Sequence, residues 1–318
     1  MLKKNIKTKL AGKFMSWLNS IEDDNVRKLV QENSVVTGGA IVSLLQDQEP
    51  NDYDIYFKNY ETVLAVAKYY VEKWNKSHPR KPVGIRLLGE NGEERNDEVF
   101  PIEEKKRVKI WVQSLGIQKH TQDDDKPAEE ETEEEPKKYK PVFMSPNAIT
   151  LSDGIQLIIR FYGTIEEIHS SFDYVHCTNS WEPDPKGSYW NKKELLRTGK
   201  LNLKTDALAA IMTKELRYFG SKYPIASILR MRKFISRGYT INAGQVLKMV
   251  FQIQELNLKD VKVLEDQLTG VDLFYMQQVL DIIEDKKVQD PLFNFDSAYM
   301  IKVVEEIFDK SEQEDEVE

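Results

Sequence analysis

Apolar residues over positions 5–32 recur at helical spacing, with Leu10, Phe14, Leu18 and Ile21 on one stripe, which predicts a helix. The next run, VVTGGAIVSLL, changes character. It reads as a short strand, a glycine turn and a second helix. NDYDIYF then alternates polar and apolar positions and is rich in aromatic and β-branched residues, the pattern of a strand. From Thr62 the segment TVLAVAKYYVEKW returns to an amphipathic helical period. Strands follow at Val83–Leu88 and 107–115, joined by the polar loop GENGEERNDE. Three more are expected at AITL, IQLIIRFYG and SFDYVHCT, with Asp153-Gly154 turning the first two into a hairpin. From about Lys192 to Asp309 the pattern is helical. Its clearest segments are TDALAAIMTKELRYF, IASILRMRKFISRG, AGQVLKMVFQIQEL, DLFYMQQVLDIIED and SAYMIKVVEEIF. The expected class is therefore α+β: a mixed sheet with flanking helices over residues 1–190, then an all-helical domain over 191–310.

Composition changes this picture in two places. The chain has 318 residues, 40% of them hydrophobic and 31% charged, which suits a soluble protein of two domains or of one large two-lobed one. Cys177 stands alone, so no internal disulfide forms, and a reducing compartment is expected. The start, MLKKNIKTKLAGKFMSWLNS, lacks the apolar run of a signal peptide. No stretch approaches the roughly 20 apolar residues that cross a bilayer. A cytoplasmic setting without a membrane partner is expected. The charge is unevenly spread. Residues 121–136 hold nine acids and one lysine, and residues 309–318 six acids and one lysine. With those segments of −8 and −5 set aside, the rest carries +5 against a whole-chain formal charge of −8. The first is too charged to pack and is expected as a disordered insert at about 119–139, and 311–318 as an acidic tail. Between Lys192 and Arg237 there are twelve Lys or Arg and three acids. Such a zone suits phosphate ligands, and equally a solvated helical surface.

The chemistry concentrates at Thr37-Gly38-Gly39 and Asp52-Tyr53-Asp54. Carboxylates at i and i+2 on a strand point to one side. Two like charges so close are costly without a cation between them. Mg²⁺, or Mn²⁺ in its place, commonly takes one or two carboxylates together with substrate phosphates. Upstream, adjacent glycines let a backbone approach a phosphate closely, and the following helix offers free N–H groups. Thr37, Gly38, Gly39 and Ser43 are the nucleotide-binding candidates here. Alone, an Asp-x-Asp is usually a solvated loop and a Gly-Gly pair a plain turn; in this order on strand, turn, helix and strand they are far more specific.

This segment resembles the signature of the poly(A) polymerase and CCA-adding tRNA nucleotidyltransferase superfamily, and Gly38 precedes Asp52 by fourteen positions, similar to the CCA-adding branch. The resemblance implies a nucleotidyltransferase fold and a third carboxylate on a later, neighbouring strand. Asp173 in SFDYVHCT is the candidate, its other reading being a strand-end aspartate that caps a turn. YPIASILRMRKFISRGY resembles the family's helical segment whose paired arginines contact the incoming nucleotide or primer. Arg230, Arg232, Lys233 and Arg237 are the candidates there, against an exposed, salt-bridged helix; Arg230 and Arg237 would share a face. There are departures. Val42-Ser43 replaces the family's Arg-Asp pair, Leu203 to Leu208 is a poor counterpart of its Arg-Arg-Asp stretch, and the base-selecting Glu-Asp-x-x-Arg template is not visible. Residues 83–140 look like an insertion, so the resemblance spans about 33–60 and 145–240. A diverged core with an acidic insert is also similar to nucleotidyltransferase-like proteins encoded by bacteriophages.

The expected reaction is transfer of a nucleoside monophosphate from an NTP to an acceptor hydroxyl. Asp52 and Asp54 would bridge two Mg²⁺ ions and Asp173 would help hold the one that activates the acceptor. An RNA or tRNA 3′ end is the first expected acceptor; a protein or small-molecule hydroxyl, as in toxin-like nucleotidyltransferases, is the alternative. An inactive nucleotide-binding module and a glycosyltransferase are rivals, the glycine pair speaking against the latter. His169, His176 and Cys177 lie near Asp173, but one cysteine does not make a zinc site. Trp181, Tyr189 and Trp190 flank a Pro-rich loop and would either stack on a base or pack.

Overall fold

The computed structural model describes residues 2–89, 94–95, 106–112, 138–185, 199–268 and scattered positions between 282 and 305. Outside them lie the acidic segment 121–136, Tyr189, Trp190, the tail, the boundary expected near 190, and most of the helical segments expected beyond residue 271. The chain divides into two units, residues 1–172 with 176–211 and residues 173–175 with 212–318.

The first unit opens with α1 (Lys3–Leu18) and α2 (Asp24–Asn33), two helices where the periodicity suggested one. Asp23 makes the break: held extended, its side chain accepts from the N–H groups of Asn25 and Val26 at 2.8 and 3.0 Å and starts a new helix. Then follow β1 (Ser34–Thr37), α3 (Gly39–Leu45), β2 (Tyr53–Phe57) and α4 (Tyr60–Ser77). The strands β3 (Val83–Leu88), β4 (Glu94–Arg95) and β5 (Arg107–Val112) form a small antiparallel sheet in the order β4-β3-β5. Strands β6 (Pro141–Met144), β7 (Ala148–Leu151) and β8 (Ile155–Tyr162), helix α5 (Ile165–Ser170), strands β9 (Ser180–Glu182) and β10 (Lys200–Asn202), and helix α6 (Thr205–Thr213) complete the run. The main sheet has the order β10-β9-β1-β2-β8-β7-β6. Only β2 and β8 pair in parallel; the other neighbours are antiparallel, so the sheet is mixed and the architecture α+β.

One face of this sheet is the core. Val36, Ile55, Phe57, Leu157 and Trp181 pack with Leu10, Phe14 and Trp17 of α1 and Val63, Val66 and Tyr70 of α4. Trp181 is fully buried, edge-on to Phe14 at 5.5 Å, so it packs and does not offer its ring to a base. Two expectations fail in this unit. SFDYVHCT is not a strand: Thr164 and Glu167 form a capping box that starts α5, and a 3₁₀ turn follows at Val175–Cys177. The helical pattern expected from residue 192 is interrupted by β10, an edge strand held by β9.

The second unit contains α7 (Pro224–Ser236), α8 (Ala243–Gln254) and α9 (Val261–Leu268). Its core joins Tyr174, Leu216, Tyr218, Tyr239 and Met249, with Met231 and Phe234 against them. The expected helix TDALAAIMTKELRYF stops at Thr213 because Lys214 takes a left-handed φ of 50°, after which Glu215 bridges Thr240 and Tyr218 bridges Tyr174. Residues 173–175 are stitched in by Val175 N–H donating to the Arg217 carbonyl at 3.0 Å and Phe219 N–H donating to the Asp173 carbonyl at 3.2 Å. Among the described residues no helix is long and apolar enough to cross a membrane.

Two packing details of the first unit lend themselves to measurement. Gly199 has φ 84°, and a Cβ there would lie 2.5 Å from Trp181 Nε1. Gly199→Ala should therefore cost about 3 kcal/mol, left-handed strain added to overpacking, read as a lowered midpoint in urea unfolding. Trp17 Nε1–H donates to the buried Tyr70 hydroxyl at 2.8 Å. Tyr70→Phe leaves that donor unpaired and should cost about 1–3 kcal/mol in the same experiment.

Candidate functional site

β1 and β2 pair with Ser34 opposite Phe57, Val35 opposite Tyr56 and Val36 opposite Ile55. Continued one step, that register sets Thr37 beside Asp54. Ile55 and Phe57 are buried in the core, so the alternation of an extended chain turns Asp54 and Tyr56 to the opposite face, and Asp52 with them. Asp52 is exposed, just ahead of the strand, and Asp54 is half-buried. Gly38 has φ 89°, and a Cβ on it would stand 3.2 Å from Asp54 Oδ2. The glycine turn thus faces the second carboxylate of the pair.

The Asp52 end of β2 is also clamped. Tyr53 N–H donates to the Gly154 carbonyl at 3.0 Å. Asp153 and Gly154 have φ 61° and 62°, as the Asp-Gly hairpin signal required, and a Cβ on Gly154 would lie 2.7 Å from the Asn51 carbonyl oxygen. The hairpin between β7 and β8 therefore sits hard against the backbone that delivers Asp52.

Behind the turn runs a chain of hydrogen bonds. Thr37 is fully buried and its hydroxyl lies 2.7 Å from the Asn179 carbonyl, to which it donates. It thereby accepts from His169 Nε2–H at 2.9 Å. His169 Nδ1 is then a bare lone pair, and it accepts from the Lys204 ammonium at 3.0 Å. Burial first, then the Lys204 charge, opposed by Glu166, hold the His169 imidazole down at about 4, so it is neutral at neutral pH. Its ring meets Phe172 edge-on at 5.2 Å, and Phe172 lies 5.7 Å from Tyr56. Asn179 Oδ1 accepts from the Lys204 main-chain N–H at 2.9 Å, and Gly38 N–H donates to the Cys177 carbonyl at 3.2 Å. Of the nucleotide-binding candidates, then, the Thr37 hydroxyl and the Gly38 N–H are directed at protein groups, and Ser43 is half-buried on α3.

The remaining candidates belong to the second unit. Asp173 lies in a loop segment and not on the expected strand, and its Oδ2 accepts from Arg230 Nε at 2.6 Å. The partner its burial demands is thus a guanidinium. Arg232 and Lys233 are exposed on α7. Arg237 is the C-cap, at φ −89° and ψ 11°, so the helical face expected to carry it with Arg230 ends before it; its carbonyl accepts from the Lys214 ammonium at 3.3 Å. Among the described residues no group of three or more His, Cys, Asp or Glu stands together as a metal site. Among the described residues Asp52 and Asp54 are the carboxylates beside the glycine turn, and such a pair would suit an Mg²⁺ whose other ligands came from phosphate and water.

Reading the sequence missed the Thr37–His169–Lys204 chain. The only local signal was the Thr164-x-x-Glu167 capping box, which makes His169 a helical residue whose ring turns inward.

Comparison with known proteins gives the chain a family. A family model described as Gabija anti-defense 2 family protein matches residues 8–214, a span that holds the glycine turn, Asp52, Asp54, His169, Asp173 and Lys204 and ends before α7. The protein "Gabija anti-defense 2" of Bacillus phage SPbetaL7 is 20% identical over 251 residues, 78% of this chain and 44% of that protein. The chain thus spans less than half the length of that relative. Among solved structures, the Thermotoga maritima CCA-adding enzyme complexed with tRNA_CCA is similar over 90% of this chain and 57% of that one, at 13% identity and a TM-score of 0.36. The match over 8–214 covers well over half of the residues, and the chain belongs to the Gabija anti-defense 2 family.

Proposed function

We propose that this chain is a metal-dependent nucleotidyltransferase acting, as its family name says, against Gabija defence, in the cytoplasm of an infected bacterium. The observation that carries the reading is the approach of Asp54 Oδ2 to the position a Gly38 side chain would fill. A turn with no side chain, set against a carboxylate pair, admits a metal-bound triphosphate to the main chain. Asp52 and Asp54 hold Mg²⁺ or Mn²⁺, and the backbone from Gly39 onward meets the phosphates. An ion held there would supply positive charge for the leaving pyrophosphate. Asp173 orients the Arg230 guanidinium, in place of the third-ligand role first expected for it. Arg230, Arg232, Lys233 and Arg237 meet the phosphate backbone of the acceptor, for which an RNA or tRNA 3′ end comes first and a protein or small-molecule hydroxyl second.

The ion pair of Asp173 with Arg230 favours a second reading, a module that binds metal and nucleotide without transferring anything. One assay separates the two. The purified chain is incubated with Mg²⁺ or Mn²⁺, each α-phosphate-labelled NTP and, in turn, total tRNA and bacterial protein extract. Label entering RNA or protein is the expected result. Binding of NTP with no transfer to any acceptor establishes the module instead.

Asp54→Ala should lower transfer by about 100-fold or more, the equivalent of several kcal/mol of lost charge stabilisation, with Asp52→Ala close behind. If both variants bind Mg²⁺ and NTP as tightly as the parent, the metal site is elsewhere. Gly38→Ala should weaken NTP binding as well, since its Cβ enters the space beside Asp54.

A further inference from the structure

Lys204 stands out among the cations of the first unit. It is exposed, its ammonium makes no salt bridge among the described residues, and its side-chain partner is the ring of a buried histidine. A lysine beside a carboxylate is neutralised; a lysine beside a neutral imidazole is oriented and keeps its whole charge. Nδ1 of His169 takes only one of the three ammonium N–H groups, leaving two directed elsewhere.

The imidazole accepts at Nδ1 only because its single proton is on Nε2, and that proton is spent on Thr37 Oγ1. Thr37 in turn spends its own proton on the Asn179 carbonyl. The Cys177 carbonyl lies farther from that hydroxyl, at 3.4 Å, and the order runs without a break from an exposed ammonium to the residue before Gly38. The main chain repeats the tie: Asn179, whose carbonyl ends the row, also accepts the Lys204 N–H through Oδ1. Two hydrogen bonds and one ring separate the free charge of Lys204 from the start of the glycine turn.

We propose that Lys204 binds the phosphates of the nucleotide at the glycine turn, and that His169 is the positioning residue that holds its ammonium there. The ligand class is a nucleoside triphosphate, contacted at its non-bridging phosphate oxygens. This rests on the nucleotide-binding reading given above and adds to it a cation that the carboxylate pair lacks. Charge complementarity argues for it: Asp52 and Asp54 cancel the charge of one Mg²⁺, and even a second ion falls short of the charge on a triphosphate, which leaves room for a further positive group.

The test is equilibrium binding to the full chain, with Mg²⁺ present, of ATP and of inorganic tripolyphosphate. Lys204→Met should weaken both by about 10- to 100-fold, the worth of one hydrogen bond to a charged group. His169→Leu should weaken both in the same sense. The double variant should be no weaker than Lys204→Met alone, since the ring acts through the lysine. His169→Gln, whose amide donates to Thr37 and accepts from Lys204, should restore most of the affinity. Circular dichroism identifies any variant that does not fold. Lys204→Met lies on the surface and His169→Gln preserves both hydrogen bonds, so the conclusion does not depend on His169→Leu. Parent-like binding of both ligands by Lys204→Met overturns the proposal and leaves the nucleotidyltransferase reading standing. Additive losses for the two single variants overturn the positioning role of His169. A folded parent that binds neither ATP nor tripolyphosphate overturns the nucleotide-binding reading and this proposal with it.

Discussion

A missing methyl group governs the site. A Cβ on Gly38 would stand 3.2 Å from Asp54 Oδ2, so the carboxylate would have to give way by a few tenths of an ångström, and the φ of 89° there is one that L side chains rarely adopt. The strained backbone calls for the glycine, and the tight approach of Asp54 adds to that demand. Much of the first unit serves to hold the two backbones in this relation. β1 and β2 are antiparallel neighbours near the middle of the seven-stranded sheet, β8 pairs with β2 on its other side, and the Gly154 turn presses on Asn51. The apolar face of the same strands, with Ile55 and Phe57 fully buried, anchors the register, since a slip of one residue would turn Asp54 into the core.

The two units treat their charges differently. In the second, Asp173 and Arg230 satisfy each other at 2.6 Å, and the desolvation of the carboxylate is offset locally. In the first, the polar row behind the glycine turn contains no carboxylate. It is built from a hydroxyl and a neutral ring, each with one proton to donate, and from main-chain carbonyls that accept. Such a row orients groups rigidly without cancelling the charge at its outer end. Both ring nitrogens of His169 have protein partners in this arrangement.

Much of this was legible in the residues. The glycine pair, the Asp-x-Asp strand and the Asp-Gly hairpin each rest on local backbone chemistry, and local chemistry is what a sequence displays. The strand around Asp173 was misread because SFDYVHCT has the aromatic content of a strand, while the helix before it is announced by Thr164 and Glu167, two polar residues outside the apolar pattern. Strands β9 and β10 have only three residues each, too short for a period to emerge, and they exist by pairing with β1 and with each other. The links from Thr37 to His169 and from His169 to Lys204 join positions 132 and 35 residues apart through side-chain atoms. No spacing rule reaches that far.

The short excursion of residues 173–175 has a consequence for how the molecule could be divided. The chain enters the second unit for three residues, returns, and leaves the first for good only after Ile211. No single cut therefore yields two intact pieces. A protein ended after residue 211 would keep Tyr174 but lose Tyr218, Ser227 and Phe234, among which that ring and its hydroxyl are enclosed. The fragment would expose that ring, with its hydroxyl deprived of the Ser227 carbonyl, beside a carboxylate stripped of its guanidinium. Separating the two parts by gene dissection would call for rewriting those three positions, and not merely for choosing an end point.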